Sequence, residues 1–467
     1  MEDDFEEFEN EEFEDLIARY ESMLQNKNEV FFDSDDYEYI IDYYLDMSDT
    51  DAAFKAIGYA SKLYPDSPGL MLRKAQYFVI SNHTDKALEI LQMIEKRDPS
   101  NSDIFMTRGA IYSQLKSYEK AIEEYKKAQF NYEELDLIYS NIAFEYQNLE
   151  NYVKSIEYLK KAIDINPKND HLLFELSFTF ELANQNDQAI DYFIQFIDKF
   201  PYSKNAWFCL GIAYSIIELF EKAIDAFEYT LAIDPEFISA NFNKANCYAS
   251  LSDYPKAIET YKENLEIDAN DPMSLFYIGE CYEEIDQTEL ALTYYKKAFQ
   301  ADEFYADAWL NSGIIYAEKD NYELAVFYIR KAIELDPKNA EYWFALADAE
   351  FKFGFHDLAL ETYIHVCRLD PLHSEIWLDY SNFYFEKGEF ALAIETIEKG
   401  IQFQPDNIEH FYRKVIYLYV AGRKIEAMEL LSFALNANIK LVSNMLEYYP
   451  QITNDPDIID LIDSFKE

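Results

Sequence analysis

Apolar and small residues recur along this chain in two alternating blocks, each spaced i, i+3, i+4, i+7, and the pair of blocks returns every 34 residues. That spacing lays the apolar residues along one face of a helix, so each 34-residue unit is predicted to hold two helices, A and B. The register is set by an alanine at Ala53, Ala87, Ala121, Ala189, Ala223, Ala257, Ala291, Ala325, Ala359, Ala393 and Ala427, with Ser155 filling the one gap. A strict period of this length means one supersecondary unit copied along an array, in which each copy contacts its neighbours.

Numbered 1 to 34, the units begin at Ser34, Pro68, Ser102, Asp136, Asp170, Lys204, Ile238, Pro272, Ala306, Ala340, Ser374 and Ile408, twelve units over residues 34–441. Helix A is predicted over positions 2 to 14. All four tryptophans (Trp207, Trp309, Trp343, Trp377) stand at position 4; position 8 is small in ten units, including Gly109, Gly211, Gly279 and Gly313, and position 11 is aromatic in ten. Helix B carries positions 20, 24, 27 and 28, as in Ala291, Tyr295, Ala298 and Phe299. Proline at position 32 (Pro65, Pro99, Pro167, Pro201, Pro235, Pro337, Pro371, Pro405) ends it, because proline cannot continue a helix. Gly354, Gly388 and Gly422 at position 15 suit a helix C-terminus that calls for positive φ. The small residues at 8 and 20 are expected to let the two helices of a hairpin touch, while aromatics at 4, 11 and 24 fill the flanking gaps.

These residues resemble the tetratricopeptide repeat family, whose signature is W-L-G-Y-A-F-A-P at positions 4, 7, 8, 11, 20, 24, 27 and 32. Unit six carries Trp207, Leu210, Gly211, Tyr214, Ala223, Phe227 and Pro235, with Thr230 in place of the seventh residue. The resemblance implies an all-α fold, a right-handed α-solenoid of helix-turn-helix units with helix A lining a concave groove and helix B the convex back. Departures stand at Glu350, which takes the aromatic position 11 of unit ten, and at Glu133, which replaces the proline of unit three and predicts a looser joint near residues 130–136. In unit twelve, Leu418 and Ile439 replace the residues at 11 and 32.

The flanks complete the expected organisation. Residues 1–33 read as an acidic tail, with Phe5, Phe8 and Phe13 interleaved, followed by a capping helix striped with Leu16, Ile17, Tyr20 and Leu24; residues 442–467 read as C-terminal capping helices, Asp455 capping one that starts at Pro456. The acidic-aromatic start can also be read as a docking motif for a basic partner.

Charge narrows the partners. The 89 acidic and 40 basic side chains leave a formal charge of −49, a field that repels phosphate backbones and anionic membranes and attracts neutral or basic protein segments. Excess charge also keeps a long array soluble. Cys209, Cys247, Cys281 and Cys367 form no CxxC pair, and no run of 18 apolar residues or secretory leader is present, so a cytoplasmic protein without membrane insertion is expected.

By the same resemblance, ligands of this fold are peptides or helices held by positions 2, 5, 9, 12 and 13 of helix A. Position 5 reads Phe174, Phe208, Phe242, Phe276, Leu310 and Phe344 in six successive units. Two readings stay open: the rings pack between neighbouring A helices, or they floor a groove in which Asn246 and Asn382 at position 9 bond a ligand backbone. Across the sixty groove positions Lys352 is the one Lys or Arg, against acids that include Asp42, Glu280, Glu283, Glu284, Glu318, Asp348 and Glu386. The basic clamp with which chaperone adaptors of this family grip acidic tails is missing.

No catalytic constellation emerges. The six histidines are scattered, GxGxxG, GxxxxGK[ST] and GxSxG are absent, and neither metal nor cofactor spacing is present. The expected function is therefore a non-catalytic scaffold or adaptor that binds protein segments in its groove, with no cofactor and no metal; the alternative is an acidic chaperone or nucleic-acid mimic that sheathes basic proteins.

Overall fold

The protein was described from a computed structural model covering residues 14–25, 30–130 and 134–465. The acidic tail with Phe5, Phe8 and Phe13, and residues 131–133 of the expected loose joint, lie outside this range. Among the described residues all regular structure is helical, as antiparallel hairpins from Ser34–Asp46 with Thr50–Leu63 through Ile408–Val420 with Lys424–Asn438. The hairpins group into two compact bodies divided between Pro235 and Glu236.

The hairpin of Ile238–Ser250 and Tyr254–Ile267 shows why the elements start and stop where they do. Helix A ends in a residue with left-handed backbone, Ser252 at φ 59°, whose N–H bonds the Ala249 carbonyl at 2.8 Å while the N–H of Asp253 bonds that of Tyr248 at 2.9 Å. This double bond satisfies carbonyls that the helix end leaves open. Asp253 then turns to its second task, its carboxylate accepting the Lys256 N–H to cap helix B. Positive φ stands at position 15 of every unit, at Ser48, Asn82, Lys116, Glu150, Asn184, Glu218, Ser252, Asp286 and Asp320 as well as at the three glycines. The turn geometry is thus a property of the repeat, whatever residue occupies it.

Position 20 is sealed in all units, from Ala53 at 0% to Ala189 at 2% exposure. What position 8 accommodates is more specific than a helix backbone. A Cβ on Gly109, Gly211 or Gly279 would fall 2.4–2.5 Å from the ring of Tyr125, Phe227 or Tyr295, the residue at position 24 of the same unit. The aromatic at 24 therefore sits over the glycine rather than in a flanking gap. Successive units are tied by the tryptophans: Nε1 of Trp207, Trp309, Trp343 and Trp377 donates to the carbonyl of the preceding position 32 (Pro201, Glu303, Pro337, Pro371) at 2.9–3.2 Å. Glu350, the odd residue at position 11, is buried and accepts from Thr362 Oγ1 at 2.8 Å.

The first body is covered at its start by the helical residues 14–25, whose Tyr20 ring meets Phe32, Tyr37 and Tyr44 at centroid distances of 5.9–6.3 Å. The second body closes with Val442–Tyr448 and Pro456–Ser464, the latter capped by Asp455. No helix among the described residues is long and apolar enough to cross a membrane.

Candidate functional site

In the first body Phe174 is 38% exposed and meets the half-buried Phe208 edge-on at 6.0 Å; Phe208 in turn leans on Phe227 at 5.7 Å. A wide recess of about 660 Å³ near the start of this body includes Asp42, Arg73, Gln76, Met106 and Tyr125. Arg73, from position 6, bonds both Asp42 oxygens and approaches Glu38 at 3.1 Å, so the two carboxylates share one cation. Position 6 lies outside the five groove positions, which is why this cation escaped the sequence reading.

In the second body the phenylalanine row is largely covered. Phe276 is 6% and Phe344 8% exposed; Phe276 packs on Tyr277, Tyr295 and Tyr305 at 5.1–5.4 Å, Phe344 on His373 at 4.5 Å, and the half-buried Phe242 on Tyr261 and Tyr277. Their rings offer little surface to a ligand, unlike Phe174. The asparagines are engaged as well: the Tyr261 hydroxyl donates to Asn246 Oδ1, and the Tyr448 hydroxyl to Asn382 Oδ1. Tyr448 comes from the C-terminal segment, and Arg413 stacks on its ring at 3.6 Å.

What the A-helix face of this body presents instead is carboxylate and phenol. Tyrosines at position 24 pass their hydroxyls through to it: Tyr295 donates to Glu283 at 2.7 Å and Tyr363 to Asp348 at 2.8 Å, matching Tyr261 and Asn246. Glu284, exposed, accepts from Tyr254 at 3.1 Å, and Glu318 is also exposed. Burial, reinforced by Glu283, Asp307 and Glu284, pushes the Glu280 carboxyl up to about 7. Burial also raises Glu283, against the stabilising bond from Tyr295. Asp348 is likewise pushed up to about 7 by burial and by Asp379, against the bond from Tyr363. The physical cause is the same throughout: carboxylates desolvated near one another favour their neutral form.

Two recesses open on this face. One of about 280 Å³ is bordered by Tyr254, Tyr261, Tyr277, Tyr295 and the carboxylates Glu280, Glu283 and Glu284. The other, about 430 Å³ and more apolar, runs from Leu310 and Ile314 past Glu318 to Phe344, Asp348 and Lys352. Lys352 is itself tethered, its Nζ bonding the Ala317 carbonyl at 2.6 Å and Asp320 at 3.3 Å. Among the described residues no group of three His, Cys, Asp or Glu side chains is arranged to hold a metal ion.

Sequence comparison matches this hairpin series to tetratricopeptide repeat families over residues 102–129, 137–169, 183–236, 217–272, 273–301, 306–339 and 344–408. The chain belongs to the tetratricopeptide repeat family. Tetratricopeptide repeat proteins act as scaffolds for protein–protein contacts, and they are in general non-catalytic. No curated protein matches the chain. Among solved structures it is similar to yeast Tom70 (13% identity, covering 93% of this chain and 96% of that one, TM-score 0.47) and to the hetero-tetramer Cut9–Hcn1 of the APC/C (15% identity, 89% and 95%, TM-score 0.42). It is also similar to YrrB, described as a TPR protein with an unusual peptide-binding site (24% identity, 41% and 98%, TM-score 0.33).

The tetratricopeptide signature counts Tyr and Phe at position 24 as equivalent packing residues, and so hides the hydroxyl row. The signal was present in the sequence: units with Tyr261, Tyr295 and Tyr363 also carry Asn246, Glu283 and Asp348 as acceptors.

Proposed function

We propose that the A-helix face of the tetratricopeptide array, residues 34–441 between capping segments 1–33 and 442–467, holds an extended or helical segment of a protein partner, and that neutral or basic segments are preferred. The observation that carries this reading is the electrostatic character of the second body's face. Glu280, Glu283, Glu284, Glu318 and Asp348 line it, while Lys352, the one Lys or Arg at its five groove positions, is tied back to Ala317 and Asp320. Nucleic acid and anionic membranes are disfavoured by the same charge, −49 over the chain. The free thiols, three of them buried, fit a reducing, cytoplasmic setting, and nothing in the reading calls for a cofactor or catalysis.

Display of a random peptide library on the full chain tests it. Enrichment of neutral or basic segments whose binding survives 150–300 mM salt and falls on Phe174→Ser or Asp348→Asn supports a groove. Enrichment of polycationic sequences whose binding vanishes at moderate salt, and is untouched by those substitutions, supports instead an acidic sheath for basic proteins. Recovery of acidic segments overturns both.

A further inference from the structure

The recess bordered by four tyrosines in the second body has a chemistry that selects one kind of guest. Tyr254, Tyr261, Tyr277 and Tyr295 supply aromatic rings, Glu280, Glu283 and Glu284 supply carboxylates, and none of the ten residues that border it is a lysine or arginine. Three of its four phenol donors are already engaged. The hydroxyls of Tyr254, Tyr261 and Tyr295 point their protons at Glu284, Asn246 and Glu283, and the Asn311 amide donates to Tyr295 at 3.4 Å. What remains is chiefly carboxylate oxygen and ring face, with the Tyr277 hydroxyl beside them. Glu280 stands apart, for it makes no hydrogen bond and no ion pair among the described residues while three acidic neighbours (Glu283, Asp307, Glu284) crowd it.

We propose that this recess receives the cationic side chain, arginine or lysine, of the partner segment, with Glu280 as its counter-ion and the tyrosine rings as its walls. This assignment rests on the peptide-binding reading above and names the residue that the segment must carry.

Three arguments converge. Guanidinium and ammonium groups are donors with no acceptor, the complement of a recess rich in carboxylate oxygen. Cations are drawn to the faces of aromatic rings, more strongly where both are desolvated. The volume, about 280 Å³, lies just under the range of roughly 300–1,000 Å³ typical of small-molecule sites, which suits one long side chain better than a whole ligand. A bound cation also offsets the burial and the acidic neighbours that disfavour the charged form of Glu280, so the guest supplies what the fold leaves uncompensated. Metal capture is a poor fit, because the carboxylates of the described residues are not grouped for coordination.

The test uses N-acetyl-arginine-N-methylamide as probe, with the neutral isostere N-acetyl-citrulline-N-methylamide beside it, on the full chain at low salt by saturation-transfer NMR and titration calorimetry. The arginine probe is expected to bind at least about tenfold more tightly than citrulline, and E280Q to lower its affinity about tenfold. E221Q, which removes one exposed carboxylate in the other body, controls for net charge and should change nothing. Far-UV circular dichroism and the urea midpoint of E280Q, compared with the parent, separate a lost counter-ion from a lost fold. Equal binding of the two probes, or an E280Q protein that binds as the parent does, overturns the assignment. The peptide display separates the two levels: segments without enrichment of Arg or Lys, and insensitive to E280Q, sink this assignment alone, whereas recovery of no segment sinks the groove reading and this one with it.

Discussion

Gly211→Ala, measured with and without Phe227→Leu, isolates the contact on which a hairpin is built. An alanine Cβ at 211 would lie 2.4, 2.7 and 2.8 Å from Cε1, Cδ1 and Cζ of Phe227, about 1 Å inside normal van der Waals contact. The ring cannot simply retreat, because Phe227 is fully buried and braced by Phe208 at 5.7 Å. Overpacking of this kind costs about 1–3 kcal/mol. Alanine replaces glycine inside the helix Lys204–Ile216, which returns about 1 kcal/mol of helix propensity. The net expectation is a loss of about 0–2 kcal/mol in the parent. In the Phe227→Leu background the clashing ring atoms are gone, so Gly211→Ala should stabilise by about 1 kcal/mol, and the sign of its effect reverses. The four proteins form a double-mutant cycle with an expected coupling of about 1–3 kcal/mol, read from urea denaturation followed by far-UV circular dichroism. Additivity within about 0.5 kcal/mol would refute the reasoning, since it would mean that glycine at position 8 serves something other than the ring at position 24.

Three further outcomes follow from the geometry. Ala325→Leu, at a residue with no exposed surface whose carbonyl oxygen lies 3.0 Å from where a Cβ on Gly313 would stand, should cost about 1–3 kcal/mol in the urea midpoint, and an unchanged midpoint would dismiss the close-packing assignment. Glu218→Gly should stabilise by about 1 kcal/mol and Gly354→Ala destabilise by a similar amount, because Glu218 is held at φ 61° and Gly354 at 80°, the latter with open space where a Cβ would stand; opposite signs in chemical denaturation would contradict the turn analysis. Stability should also fall as pH rises. Glu280 and Asp348 move from 4.5 and 3.8 to about 7 and Asp379 from 3.8 to about 6, so the folded chain binds more protons than the unfolded one between those values. Their contribution is complete below about pH 4 and lost above about pH 7. Melting temperatures at pH 5 and pH 8 check it: Asp348→Asn should flatten the decline, and an unchanged slope would count against the buried carboxylates as its source.

The hairpins were legible because packing is local and periodic. Ala223 is sealed like its counterparts at position 20, and Gly211 faces the residue at position 24 as Gly109, Gly279 and Gly313 do, so a single register sufficed to place them. The candidate site was legible only in its charge. Phe276 and Phe344 stand at groove positions, yet they are covered by Tyr305 and His373, residues outside the groove positions of their own units. Asn382, a ligand contact in one of the two open readings, is bonded by Tyr448, 66 residues away. A rule limited to five positions of helix A carries no information about what the last residue of the same unit or a terminal segment lays over them.

By itself the sequence determined the repeat, the all-helical hairpins and the acidic character of the groove residues, since each depends on residue type at a fixed spacing of about one helical turn. Tertiary structure decided which of those acids are paired, which rings are spent on packing, and that Glu280 is left without a partner beside four tyrosines. The reason is physical: helical periodicity acts over a few residues, whereas desolvation and hydrogen bonding depend on whatever the fold brings within a few ångströms from any distance along the chain.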